Sequence, residues 1–360
     1  MTTKRIRILI VDDSSVVREL LKSLLIDAGD FDVVGEACNG KEAIALVQQL
    51  RPDVVTMDLN MPVMSGLEAI EHIMHDKAVP ILVVSNESDA ELAYEAINIG
   101  ALDVIAKPCY EADSAAMFVS KVRLLAGVPV ITRLRRRALI EPYSVPVPVA
   151  LPLCVIEPDY LQVFVIASST GGPQALAHLL SQLPAEFPAP ILIAQHISDG
   201  FIDGMALWLS GLCQLTVKVA EQGERLRAGY VYLSPSEQHL TVSPERRVKL
   251  IDRLEGDIYH PCCDTLLKSV AEVYSTDAIG IIMTGMGRDG SEGMRAIYQC
   301  GGITFAQDEA SSVIYGMNAE AINKGVIHSI LPLSAIADEM LGVVASGVEL
   351  YRTTLHRATL

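Results

Sequence analysis

Short apolar runs rich in β-branched residues recur along this chain, and most are followed by an amphipathic segment of helical period. That alternation constrains the fold more than any other feature. Strands joined through helices pair in parallel, and a parallel sheet needs helices on both faces. In the first 125 residues the runs are Ile6–Val11, Asp32–Ala37, Val54–Met57, Ile81–Val84 and Asp103–Ala106. Between them lie helical segments such as Ser15–Ala28, which stops at Gly29, and Lys41–Leu50, which follows Asn39-Gly40. Five strands with intervening helices predict a parallel, doubly wound sheet.

The alternation resumes at Leu161. Strand candidates are Val163–Ala167, Ile191–Gln195, Leu215–Val219, Tyr230–Leu233, Leu240–Ser243, Val248–Asp252, Ile279–Thr284 and Ile303–Ala306. Helices are expected over Pro173–Gln182, Gly200–Leu212, Cys263–Tyr274, Asp289–Cys300 and Asn318–Lys324. This reads as a second doubly wound α/β domain, with a mostly parallel sheet and a small antiparallel section around 215–252. Residues 126–160 hold six prolines and the cluster Arg133, Arg135, Arg136 and Arg137, without a period. Such composition favours an extended spacer. At 360 residues the chain exceeds what one core supports, roughly 250–300 residues. The expected division is a domain at 1–125, a linker at 126–160, a second domain at 161–350 and a tail at 351–360.

The formal net charge is −16, divided as −9 over 1–125, +1 over the spacer and −8 beyond it. Acid on both domains repels phosphate backbones, which argues against a nucleic-acid partner. No apolar run approaches the roughly 20 residues that span a bilayer, so no direct membrane insertion is expected. The apolar N-terminal stretch is cut by Asp12 and Asp13, unlike a signal peptide. Seven cysteines form no C-x-x-C pair, which suits a reducing, cytoplasmic setting. Adjacent Cys262 and Cys263 read as buried structural thiols rather than metal ligands.

Parallel sheets place their chemistry beyond the carboxyl ends of the strands. In the first domain those ends carry Asp12 and Asp13, Asp58, Ser85 and Lys107-Pro108. Singly, Asp12 and Asp13 could be helix caps and Ser85 a turn residue. Together, three carboxylates repel one another unless a hard divalent cation sits among them, and Mg²⁺ prefers such oxygen donors. A carboxylate beside that ion can attack phosphorus and form an aspartyl phosphate. Lys107 would neutralise the phosphoryl oxygens and Ser85 would hydrogen-bond one of them.

The stretches Val11-Asp12-Asp13-Ser14, Met57-Asp58-Leu59-Asn60-Met61-Pro62, Ser65-Gly66-Leu67 and Lys107-Pro108 resemble the receiver domain of bacterial response regulators. The resemblance implies a flavodoxin-like (βα)5 fold with Asp58 as phosphoacceptor. It also implies Mg²⁺ on the Asp13 and Asp58 carboxylates and the Asn60 carbonyl, with Asp12 assisting. A cis Lys107–Pro108 bond and a histidine kinase as phosphodonor follow as well. Val104 stands where many receivers carry an aromatic switch residue.

In the second domain the run Val163–Ala167 ends at Ser168-Ser169-Thr170-Gly171-Gly172-Pro173, where a strand becomes a helix. A serine there is presented as nucleophiles usually are, and either Ser168 or Ser169 could fill the role. His196 follows the second strand, and Asp289 lies in the loop after Ile279–Thr284. Ser, His and Asp at separate strand ends can converge as nucleophile, base and orienting carboxylate, whatever their chain order. The G-x-S-x-G elbow is absent, which excludes the α/β-hydrolase superfamily. The Gly285–Gly290 run lacks the P-loop lysine.

The stretches Ala167–Pro173, Gln195-His196 and Met283–Gly290, with Tyr232–Pro235, His260-Pro261 and Gln307–Val313, resemble the catalytic domain of the chemotaxis protein-glutamate methylesterase, the CheB family. A receiver ahead of this domain is that family's architecture. The resemblance implies Ser169 as nucleophile, His196 as base, Asp289 as its orienting carboxylate, and oxyanion donors from the Thr170 and Met286 amides. It implies phosphorylation-activated demethylation of glutamate methyl esters, and deamidation of glutamines, on methyl-accepting chemoreceptors, with no cofactor for the ester reaction. Rival readings are an inert, phosphorylation-switched receptor binder, or the same enzyme serving a non-flagellar array. Departures from the family pattern, Ile197-Ser198-Asp199 and Asn318-Ala319, are expected at the rim.

Overall fold

A computed structural model of the chain describes residues 5–109, 111–130, 160–254, 256–351 and 353. It divides into two compact units, Met1–Arg137 and Ala138–Leu360. Residues 131–159 of the expected spacer, with its arginines, lie outside the described residues, as does most of the tail.

In the first unit the strands are β1 (Ile6–Val11), β2 (Phe31–Ala37), β3 (Val54–Met57), β4 (Ile81–Ser85) and β5 (Asp103–Ala106). The helices are α1 (Ser15–Ala28), α2 (Gly40–Leu50), α3 (Gly66–Asp76), α4 (Ala90–Ile99) and α5 (Ala112–Leu125). The sheet is ordered β2-β1-β3-β4-β5 and every pairing is parallel. Chain direction across the sheet reverses between β1 and β3, so Asp12 and Asp58 flank the switch point where ligands sit in such sheets. Helix starts are set locally. The Ser14 and Asn39 side chains cap α1 and α2, and Ser65 forms a reciprocal capping box with Glu68 on α3. The capping reading of Asp12 and Asp13 gives way to Ser14 as the cap, although Asp12 Oδ1 accepts from the Ser14 amide at 2.9 Å.

In the second unit the strands are β6 (Val163–Ser168), β7 (Ile191–Gln195), β8 (Thr216–Val219), β9 (Tyr230–Leu233), β10 (Gln238–Val242), β11 (Val248–Asp252), β12 (Ala278–Ile282), β13 (Ile303–Gln307) and β14 (Ser329–Leu331). The helices are α6 (Gly172–Leu180), α7 (Ile202–Ser210), α8 (Cys263–Tyr274), α9 (Ser291–Gln299), α10 (Met317–Asn323) and α11 (Leu333–Ser346). Seven strands form a wholly parallel sheet ordered β14-β13-β12-β6-β7-β9-β8. Among the described strands β10 and β11 alone pair antiparallel, through a tight turn closed by Arg246 N to Ser243 O at 2.8 Å, and an isolated antiparallel bridge joins Arg225 to Arg247. The antiparallel section is therefore narrower than 215–252. The longer connection after β8 returns the chain far enough for β9 to join in parallel. The buried β6, β7 and β12 pack on α8 through Leu266, Leu267 and Val270.

The Lys107–Pro108 bond is not cis; the cis bond among the described residues is His260–Pro261. The Lys107 amide extends the β4–β5 ladder by donating to Ser85 O at 3.0 Å, and its side chain reaches the acidic cluster from there. Asn318 is not at a rim either. It is fully buried, and its amide donates to Gln307 O at 2.9 Å and Ser312 Oγ at 2.8 Å. Among the described residues no helix is long and apolar enough to cross a membrane.

Candidate active site

Sheet order explains why three distant residues emerge side by side. β12, β6 and β7 are adjacent, and neighbouring strands lie about 4.8 Å apart. Asp289, Ser169 and His196 follow their carboxyl ends, so they emerge along one short stretch of sheet edge.

Ser169 is buried and held by its backbone. Its amide donates to Thr284 O at 3.0 Å, and its carbonyl accepts from Gly172 N at 2.7 Å and Gln195 Nε2 at 2.8 Å. Gly171 has φ +78°, a left-handed conformation that a side chain would strain, and it turns the chain directly into α6. On the other side, a Cβ at Gly285 would come within 2.6 Å of Ser169 Cβ. Only glycine lets that loop pass so close to the serine. The two hydroxyls have different fates. Ser168 is fully buried and donates to Gln195 Oε1 at 2.7 Å, whereas the Ser169 hydroxyl has no partner among the described residues.

His196 is tied to the same turn through its amide, which donates to Ser168 O at 3.0 Å. Its ring stacks on Tyr259, with centroids 5.1 Å apart and planes 10° apart. Nε2 lies 2.7 Å from Asp289 Oδ2. That contact commits Nε2 to the carboxylate and leaves Nδ1 as the free ring nitrogen. No hydrogen bond joins Ser169 to His196, a looseness often found in catalytic pairs without substrate.

Asp289 is the most heavily supported of the three. Its carboxylate accepts from the Cys263 amide at 2.6 Å, the Asp264 amide at 2.9 Å and the Gly290 amide at 3.0 Å. Two of these amides begin α8, where unpaired N–H groups and the helix dipole favour an anion. Burial pushes the carboxyl up, but the His196 hydrogen bond and charge, with the backbone donors, outweigh it and hold the pKa at about 2. Cys262 and Cys263 abut the same carboxylate. Burial pushes the Cys262 thiol up to about 11 and the Cys263 thiol well above its ordinary range, so both stay neutral.

The Thr170 and Met286 amides have no intramolecular acceptor among the described residues. They flank Ser169 from two loops, and Thr284 pins those loops together. Its hydroxyl donates to Thr170 O at 2.9 Å and accepts from Ile314 N at 2.9 Å. The arrangement suits acyl transfer: an unpartnered hydroxyl, an oriented imidazole, and free amides nearby.

A second cluster lies at the edge of the first unit's sheet. Carboxylate oxygens of Asp12, Asp13 and Asp58 lie within 4.8 Å of one another, and Asp12 and Asp58 are buried. Lys107 Nζ reaches Asp12 Oδ2 at 2.8 Å and Asp58 Oδ2 at 3.1 Å. Burial raises the Asp58 pKa, Lys107 opposes this and Asp12 adds to it; the net shift is upward. Lys107 is lowered by burial and raised more by its two carboxylates. Three carboxylates and one lysine leave an excess of negative charge among oxygen donors, which fits a hard divalent cation. Asp13 and Asn60 are exposed beside it. Ser85 is buried, and its hydroxyl donates to Asp89 Oδ2 at 3.5 Å rather than toward Asp58. Val104 is buried at the position that carries an aromatic in many receivers.

Sequence reasoning missed Tyr259, Cys263 and the bridging role of Gln195. Gln195 stood beside a noted histidine, but nothing in sequence spacing shows that its amide would clamp two carbonyls, Ser169 O and His196 O, both at 2.8 Å.

A receiver-type acidic edge in one unit and a serine, histidine and carboxylate edge in the other define a receiver-linked hydrolase. Residues 8–118 match the response regulator receiver domain, and residues 164–340 match the CheB methylesterase family. Protein-glutamate methylesterase/protein-glutamine glutaminase 3 of Paramagnetospirillum magneticum is 51% identical over 347 residues, covering 96% of this chain and 98% of that protein. Protein-glutamate methylesterase/protein-glutamine glutaminase 2 of Anaeromyxobacter dehalogenans is 41% identical over 334 residues, covering 92% and 95%. The chain belongs to the CheB family of protein-glutamate methylesterases, with a receiver and a methylesterase domain in one polypeptide.

Proposed function

We propose that Ser169, His196 and Asp289 perform the family's hydrolysis, with the Thr170 and Met286 amides as oxyanion donors. The His196 Nε2 to Asp289 Oδ2 contact at 2.7 Å carries this reading, because it leaves Nδ1 as the base on the strand next to Ser169. Nδ1 takes the Ser169 proton as Oγ attacks the side-chain carbonyl of a methylated glutamate. The two amides bind the oxyanion, and Asp289 stabilises the imidazolium. The tetrahedral intermediate collapses, and His196 returns the proton to departing methanol. Water, deprotonated by the same nitrogen, releases free glutamate. A glutamine amide entering by the same route loses ammonia instead.

The substrates are cytoplasmic segments of methyl-accepting chemoreceptors, and the exposed Leu254, Ile258 and Met286 near the stacked Tyr259 offer an apolar rim to a helical partner. Asp58 accepts a phosphoryl group from the chemotaxis histidine kinase, with Lys107 engaging its oxygens and the Ser85 hydroxyl turning from Asp89 to bond one of them. Asp13, Asp58 and the Asn60 carbonyl, assisted by Asp12, would hold Mg²⁺, which supplies charge neutralisation for that transfer. The added charge on the receiver raises the esterase rate. Domain limits of 1–125 and 161–350, with a linker and a short tail, suit this division of labour. Trapping with a serine-directed fluorophosphonate tests the nucleophile. Fragmentation of the labelled peptide is expected to place the adduct on Ser169, and an adduct on Ser168 contradicts the assignment.

A further inference from the structure

One group against the His196–Asp289 pair has no part in the reaction above. The Cys263 Sγ, on the first residue of α8, lies 3.5 Å from His196 Nε2. Donor atoms of His196, Cys263 and Asp289 all lie within 4.8 Å of one another, and Cys262 Sγ stands 3.4 Å from Asp289 Oδ1. A thiol, an imidazole and a carboxylate at that spacing match a borderline-soft cation. With bonds of about 2.0–2.3 Å in tetrahedral geometry, such ligands stand roughly 3.3–3.6 Å apart. The Cys263 to His196 separation already fits. The imidazole and carboxylate would part slightly from 2.7 Å. Cys263 is buried, but the His196 side chain is partly open to solvent and gives the ion a way in.

We propose that Cys263 Sγ, His196 Nε2 and the Asp289 carboxylate form a binding site for a thiophilic divalent cation of the zinc type, and that its occupancy switches the hydrolase off. The site stands on geometry alone; the inhibition rests on the assignment of His196 as base. On binding, the Cys263 thiol releases one proton to solvent. The ring proton passes from Nε2 to Nδ1, and the ion replaces the hydrogen bond to Asp289. Nδ1 then carries a proton and cannot accept one from Ser169. The receiver's acidic cluster offers oxygen donors without sulfur, so hard and soft ions sort between the two sites.

The test uses the full-length protein in saturating Mg²⁺. CdCl₂ is titrated while thiolate-to-metal charge-transfer absorption is followed, and ZnCl₂ is titrated against methanol release. The expected result is an absorption step of one equivalent in wild type that Cys263→Val removes and Cys262→Ser retains. Zinc inhibition, scored against each variant's own zinc-free rate, should weaken at least tenfold in Cys263→Val. Thermal unfolding checks that the variant has kept its fold, and Cys263→Ser serves as the second, smaller change. Absence of the step in wild type, or its persistence in both Cys263 variants, overturns the site. A Cys263-dependent step with an unaltered esterase rate overturns the inhibition, and with it His196 as base, while the site stands.

Discussion

The two sheet edges solve opposite electrostatic problems with the same topology. At the receiver edge, three carboxylates converge on one lysine, and burial with Asp12 pushes the Asp58 carboxyl above its ordinary range. At the catalytic edge, one carboxylate is surrounded by an imidazole and three amides, and is held at about 2. The first edge carries unresolved charge, which a cation and a phosphoryl group can relieve, so its state depends on what arrives. The second is balanced, as suits a group that must return to its starting state after each turnover of the proposed reaction. Parallel sheets concentrate function at their carboxyl ends; the charge placed there decides whether that function is a switch or a catalyst.

Replacing Asp289 attacks the balanced edge most severely. Asp289→Asn removes the anion that fixes the His196 tautomer, and should lower the rate of methanol release by about 10³–10⁴-fold. A loss under tenfold would mean that the carboxylate is only structural. Asp58→Asn attacks the other edge. It should abolish the rate increase produced by a small-molecule phosphodonor, and equal stimulation in variant and wild type would contradict the receiver's control.

The same two substitutions should move stability in opposite directions. Asp289 is lowered relative to its unfolded value, so it contributes stability that is present above about pH 4 and is lost as pH falls toward 2. Asp58 is raised, so its ionisation costs the fold stability at neutral pH, and that cost disappears on acidification. Thermal unfolding at pH 7 without added metal should therefore show Asp289→Asn lowering the catalytic domain's midpoint and Asp58→Asn raising the receiver's. Shifts of the same sign would break the comparison. The smallest effect is expected from Ser168→Ala, which frees Gln195 Oε1 and should cost about 1–3 kcal/mol of stability. Its rate should stay within tenfold of wild type, which separates Ser168 from its neighbour.

Much of this was legible in the sequence because strand ends are local features. The runs Ile6–Val11 and Tyr230–Leu233 appear with the expected bounds, as does the helix Cys263–Tyr274. Helix α11 was also readable, since Ile336, Ala337, Met340 and Val343 keep a helical period between Pro332 and Gly347, but it went unassigned. The three-residue β14 carries too short a pattern to read. The site's supports were hidden for a different reason. Asp289 depends on amides 25 and 26 residues away, and His196 stacks on a tyrosine that no motif marks. Such contacts come from the packing of β12 against α8, and composition does not encode them.

The most direct measurement is release of labelled methanol from methylated chemoreceptors by wild type and by Ser169→Ala at equal concentration. The triad predicts a loss of at least about 10³-fold in the variant with its fold intact. Methanol release that survives the loss of this hydroxyl would contradict it.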